Sequence, residues 1–129
     1  TPVWSQRVDK AAAAPLPYPN LVYTLHFYAD THKEELRQIM LGAIEKGLPV
    51  FVSEFGICDA SGNGPINDEE TNIWLELLNK HQISYVIWNL SRKDETSAIF
   101  VPTCEKNCDF EDSDFSECGK RVPGYMQMK

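Results

Sequence analysis

A chain of 129 residues is long enough for one domain around one hydrophobic core and short for two. Its 43% hydrophobic and 24% charged content fits an ordinary globular protein, and no apolar run approaches the roughly 18 residues that span a bilayer, so no membrane partner is expected. The net charge is −7 with Lys and Arg scattered rather than striped, which argues against nucleic acid as a partner.

Taken in order, the start Thr1-Pro2-Val3-Trp4 carries neither a basic nor an apolar leader segment. Ser5 can cap a short helix through Val8, Asp9, Lys10 and the alanines that follow, after which Pro15, Pro17 and Pro19 force an extended connection. Leu21–Phe27 is rich in β-formers and predicts a strand. Thr31-His32-Lys33-Glu34 has the form of a capping box opening a helix, with an apolar stripe at Leu36, Ile39, Met40, Ala43 and Ile44 and a stop at Gly47. Val50–Ser53 predicts a second strand that runs into Glu54-Phe55-Gly56. A polar loop with Gly62 and Gly64 follows. Asn67 or Asp68 can cap the next helix, whose stripe is Ile73, Trp74, Leu77, Leu78 and His81, and Ser84–Trp88 predicts a third strand. The order helix-β-α-β-α-β, with connections long enough for right-handed parallel crossovers, fits either a doubly wound α/β sheet or a piece of a (β/α)8 barrel. Residues 1–100 carry these units, with no internal repeat and no interdomain linker.

Residues 101–129 form a divergent acidic tail. Between Glu105 and Glu117 stand six acidic side chains and one Lys, which predict a solvated loop with a short helix near Ser113–Lys120. A calcium loop would want a regular ligand spacing and a central Gly that this stretch lacks. Pro123 and Gly124 are expected to break any helix beyond it. The four cysteines, Cys58, Cys104, Cys108 and Cys118, permit disulfides in three pairings or free thiols; a zinc site would want a regularly spaced fourth ligand, and no His lies near the last three.

Position is the clue to chemistry. His26 and Tyr28 end the first strand, Glu54 the second and Trp88 the third, and in parallel α/β folds the C-terminal strand ends meet at one face where sites form. Each residue has a structural reading: a satisfied core His, a solvated Glu, rim packing for the two aromatics. Together they suit glycoside hydrolysis. A nucleophilic carboxylate must stay ionised, a tyrosine hydroxyl donated to it favours the charged form, and an indole offers a flat face to a sugar ring.

The stretches Asn20–Ala29 (NLVYTLHFYA), Val50–Gly56 (VFVSEFG), Asp59–Gly64 (DASGNG) and Val86–Glu95 (VIWNLSRKDE) closely resemble bacterial family 5 glycoside hydrolases, the cellulases, in order and in spacing. Trp4-Ser5-Gln6 resembles the segment after the fifth barrel strand, and Phe55 stands where the family often has Trp. The resemblance, from Thr1 to about Phe100, implies that the three strands are the sixth to eighth of a (β/α)8 barrel. It implies Glu54 as nucleophile, with Tyr28 hydrogen-bonded to it and His26 beside it, and Trp88 as platform for the sugar at the cleavage site. Lys93 and Glu95 are implied contacts for the next sugars toward the non-reducing end, joined by the backbone of Ala60 and by Trp4. The implied activity is cofactor-free endo-hydrolysis of a β-1,4-glucan with retention, in a secreted protein; a mannan, xyloglucan or mixed-linkage glucan is the same-class alternative. The first five strands and the Asn-Glu-Pro motif that supplies the acid/base are absent, and Gly119 to Lys129 does not resemble the family's closing helix. The expectation for the chain alone is a self-associating or partnered portion of a barrel that is inactive by itself.

Overall fold

The computed structural model describes residues 1–127. Three parallel strands, β1 (Tyr23–Tyr28), β2 (Val50–Gly56) and β3 (Tyr85–Ile87), form one sheet in the order β1-β2-β3. The crossovers run through α3 (Glu34–Glu45) and α4 (Asp68–Lys80). Short N-terminal helices α1 (Pro2–Ser5) and α2 (Val8–Ala13) precede them, and a 3-10 turn (Asp112–Asp114) leads into α5 (Glu117–Met126). This is a parallel α/β segment of the (β/α)8 barrel kind.

One face of the sheet is apolar because alternate strand residues point to the same side. Leu25 and Phe27 of β1 and Val52 and Phe55 of β2 are buried there against Leu36, Met40 and Ala43 of α3 and Trp74, Leu75 and Leu78 of α4. Trp74 is fully buried and stacks on Phe27 with ring centroids 4.0 Å apart. Its indole N–H donates to the His32 carbonyl at 2.6 Å, so the largest side chain of the core leaves no buried donor unpaired.

Local details depart from the sequence reading. Ser5 does not cap α2: it lies at φ 59°, its hydroxyl accepts from Thr24, and the N-cap is Arg7. The capping box at Thr31 does not form either. The N-cap of α3 is Lys33, while the Thr31 hydroxyl accepts the Ala60 N–H at 2.8 Å, a tertiary partner outcompeting the local one. Asn67 does cap α4, its side chain accepting from the Glu70 N–H at 3.0 Å. The buried stripe of α4 is Thr71, Trp74, Leu75 and Leu78; Ile73 is exposed and His81 is the half-buried C-cap, so the helix is rotated from the predicted face. Gly47 follows the end of α3 at φ +81°, as a helix stop needs.

The tail folds back rather than trailing off. The Ser116 N–H donates to the Ile99 carbonyl, and Phe100, Phe110 and Phe115 cluster. Helix α5 continues through Pro123 instead of breaking there. Its Cys118 and Tyr125 are buried in the core, and Arg121 and Tyr125 both bind the Asp68 carboxylate, so tertiary anchoring outweighs the lost backbone bond. Residues 128 and 129 of the final stretch lie outside the described residues. All four cysteines are unpaired, three of them buried and Cys108 exposed.

Candidate active site

The geometry around Glu54 begins with an irregularity in β2. Leu25 pairs with Val52, but the next residue, His26, pairs with Glu54, so Ser53 is an extra residue. On the other side Val52 pairs with Tyr85 and Phe55 with Ile87, again one residue more in β2 than in its partner. In strict alternation Glu54 would share the side of Val52 and enter the apolar layer. The bulge shifts the register so that Phe55 takes the buried position and Glu54 emerges at the opposite face. Ser53 and Glu54 then both reach His26, whose Nε2 lies 2.7 Å from the Ser53 hydroxyl and whose Nδ1 lies 3.5 Å from Glu54 Oε2.

Glu54 stands between two concavities. One, of about 390 Å³, is walled by Trp4, Gln6, His26, Tyr28, His32 and Ala60. The other is walled by Ser53, Val86, Trp88, Asn89 and Lys93. The indole of Trp88 is 37% exposed, so part of its face is open, and the Trp88–Asn89 peptide is cis. Trp4 is 86% exposed on a backbone with positive φ from Val3 to Ser5.

The structure thus brings together His26, Tyr28, Glu54, Trp4 and Ala60 on one side of the carboxylate and Trp88 and Lys93 on the other. One detail differs from expectation, and two others narrow how a ligand could be met. No hydrogen bond joins Tyr28 to Glu54 among the described residues. Burial first, then the charge Cys58 acquires when it ionises at alkaline pH and the charges of Glu95 and Glu54, raise the pKa of the phenol, while the Ser97 hydroxyl beside it works the other way. The Ala60 N–H is occupied by Thr31, which leaves only its carbonyl to offer a ligand. Glu95 faces inward, its Oε1 accepting from the Asn89 amide at 2.8 Å and the Ser97 hydroxyl at 2.9 Å.

Two further groups at the site were not singled out from the sequence. His32 accepts the Tyr28 N–H on Nδ1 at 2.8 Å, which places its own proton on Nε2, so the Gln6 amide 2.9 Å away must turn its oxygen to the ring to accept it. Burial lowers its pKa and keeps it neutral. It thereby ties the end of β1 to the segment that carries Trp4. Ser97 is fully buried behind Glu95; no local pattern marks it. Among the described residues no group of three or more His, Cys, Asp or Glu could hold a metal ion.

A family model described as Cellulase (glycosyl hydrolase family 5) matches residues 1–94. Endoglucanase A of Butyrivibrio fibrisolvens is 42% identical over 118 residues, covering 91% of this chain and 28% of that protein. Endoglucanase Z of Dickeya dadantii is 38% identical over 127 residues, covering 98% of this chain and 28% of that protein. The chain thus spans little more than a quarter of the length of these curated relatives. Among solved structures, one from Cytophaga hutchinsonii superposes with a TM-score of 0.91 at 45% identity, over 94% of this chain and 40% of that one. The catalytic domain of Thermobifida fusca endoglucanase Cel5A, in complex with cellotetraose, superposes with a TM-score of 0.83 at 25% identity, over 93% of this chain and 39% of that one.

Proposed function

The chain belongs to glycosyl hydrolase family 5, the cellulase family, and we propose that it supplies the nucleophile side of a retaining endo-β-1,4-glucanase. The observation that carries this reading is the bulge in β2, which lifts Glu54 out of the core and sets it beside His26, between two concavities with an indole face in one of them. In this reading the Glu54 carboxylate attacks the anomeric carbon of a glucose unit stacked on Trp88. The bond to the leaving glycosidic oxygen breaks, and a second carboxyl group protonates that oxygen. Water, deprotonated by the same second group, then displaces Glu54 and restores it, with net retention. Retention calls for about 5–5.5 Å between the two carboxyl groups. We assign the second carboxyl to the part of the family's barrel that this chain does not span. Cello-oligosaccharide is the ligand the site suits, with Lys93, Glu95 and the Ala60 carbonyl reaching the sugars beyond the cleavage point, and the setting we propose is extracellular.

The test is covalent trapping in the full-length protein. A 2-deoxy-2-fluoro cellobioside with a dinitrophenyl leaving group needs little protonation, so it should label the nucleophile and stop there. Mass spectrometry should find the label on the peptide containing Glu54, and Glu54→Gln should abolish both labelling and glucan cleavage. A label on another carboxylate would overturn the assignment.

A further inference from the structure

Glu95 is held more deliberately than a loop carboxylate in contact with solvent needs to be. Both of its hydrogen bonds within the protein fall on one oxygen, Oε1, from Asn89 Nδ2 at 2.8 Å and Ser97 Oγ at 2.9 Å; Oε2 has none among the described residues. The two donors are themselves buried, Ser97 completely and Asn89 at 7% exposure, and they bond to one another at 3.0 Å. The amide orientation follows from this, since reversing it would set Oδ1 against the carboxylate. The cost is visible: Asn89 Oδ1 is buried and has no partner among the described residues, an arrangement that is unfavourable unless the amide's other end does something required.

The backbone is arranged around the same cluster. The Asn89 N–H donates to the Ser97 carbonyl, the Ser97 N–H donates to the Gly62 carbonyl, and the Ile99 N–H donates to the Asn89 carbonyl. Gly62 has φ +79°, and a Cβ there would stand 3.5 Å from Ser97 Oγ, 3.6 Å from Tyr28 Oη and 4.0 Å from Glu95 Oε2. The loop after β3 and the end of β1 therefore converge their oxygens on one spot, beside Gly62 of the loop after β2.

We infer that Asn89 and Ser97 are positioning residues that clamp Oε1 of Glu95 so that Oε2 is presented, in a fixed direction, as an acceptor for a hydroxyl of a sugar beyond the cleavage point. This rests on the glucanase reading above. A carboxylate with one oxygen clamped has lost its rotational freedom before the ligand arrives, so the ligand does not bear that ordering cost. Neither residue touches the reacting atoms.

The experiment is calorimetric binding to the full-length protein in a Glu54→Gln background, where the ligand is not cleaved. Cellotetraose, long enough to reach Glu95, is compared with cellobiose. Ser97→Ala and Asn89→Asp remove the clamp in two independent ways, the second by setting like charges together without changing shape. Each should weaken cellotetraose at least fivefold and leave cellobiose within twofold. Equal weakening of both sugars marks a merely structural role and overturns the inference, as does unchanged cellotetraose binding in both variants. If the background protein binds neither sugar, the glucan reading itself falls and takes this inference with it; binding of both with no chain-length effect overturns the inference alone.

Discussion

His26 and Glu54 sit opposite one another across a register shift, with His26 Nδ1 3.5 Å from Glu54 Oε2 and its other ring nitrogen 2.7 Å from the hydroxyl of the bulge residue Ser53. An Nδ1–H tautomer aims its proton at the carboxylate and leaves Nε2 to accept from Ser53. The imidazole thus holds the bulge and the direction of Glu54 together. In the full-length protein, His26→Ala should lower kcat on soluble glucan about 10²-fold, the cost of misplacing a reacting group by about 1 Å. Ser53→Ala should cost less, since Nδ1 keeps its contact. Activity within twofold of the original for His26→Ala would show that the bulge holds Glu54 unaided.

The buried acids predict alkaline behaviour with a definite sign. Burial pushes the Cys58 thiol up to about 11 and the Cys118 thiol to about 12 from an ordinary 9.0. Burial, then the charges of Cys58, Glu95 and Glu54, raise Tyr28. Each group keeps its proton in the fold at a pH where the unfolded chain has lost it. The stability they contribute is complete below pH 9 and is lost as pH rises through the folded values. The urea midpoint should be level up to about pH 9 and fall from there toward pH 12, and Cys118→Ser should flatten the fall. A midpoint that rises above pH 9 contradicts this. In the same native state at pH 8, a thiol reagent should modify Cys108 quickly and the three buried thiols only on unfolding.

Most elements were legible in the sequence, and the reasons are physical. Tyr23–Tyr28 and Val50–Gly56 are dense in β-branched and aromatic residues, and the helices carry 3.6-residue stripes; both are local signals. The caps were not, because a cap competes with tertiary partners that sequence does not display: Thr31 serves Ala60, and Ser5 serves Thr24. The bulge was not legible either. Period-2 reading puts Glu54 on the buried side of Val52, and only pairing with two neighbouring strands reveals the extra residue. His26, Tyr28, Glu54 and Trp88 could be singled out as candidates because they fall at or near strand ends. Ser97 could not, since it reaches Glu95 only after the loop following β3 folds back on itself.

Helix α5 predicts two opposite effects on stability. Tyr125 is buried and its hydroxyl donates to Asp68, which Arg121 Nε also binds at 3.0 Å. Tyr125→Phe keeps the ring and loses that bond, and with Asp68 half exposed the cost should be about 1 kcal/mol by chemical denaturation. Pro123 is exposed and sits inside the helix. Replacing it by Ala restores a backbone donor for the Gly119 carbonyl and should stabilise by about 1–3 kcal/mol. A destabilised Pro123→Ala would mean that the proline's shape is itself part of the tail's packing.

The sheet predicts how the 129-residue chain behaves by itself. Among the described residues β1 pairs only with β2, and β3 only with β2, so each leaves one edge of backbone donors and acceptors without a strand partner. In a closed barrel both edges would be paired. The face that carries Glu54 is mixed: His26 and Ser53 tolerate water, but Val86 is 49% and Leu90 77% exposed, and Trp88 lies open between them. Covering such side chains is worth roughly 1.5–3 kcal/mol each, a large share of the 5–15 kcal/mol that holds a typical domain. Two copies, or a copy and the remaining strands supplied separately, gain both the edges and this face by associating. The net charge of −7 opposes unlimited growth and favours a small soluble assembly. Sedimentation of the purified chain at tens of micromolar should therefore show a dimer or larger species, with slow amide exchange in β2 and faster exchange along the free edges of any remaining monomer. The same sample should not cleave soluble cellulose, because Glu54 alone cannot protonate the leaving oxygen. A compact monomer that unfolds cooperatively, with both outer strands protected, would show that the tail and the N-terminal helices seal the sheet without a partner.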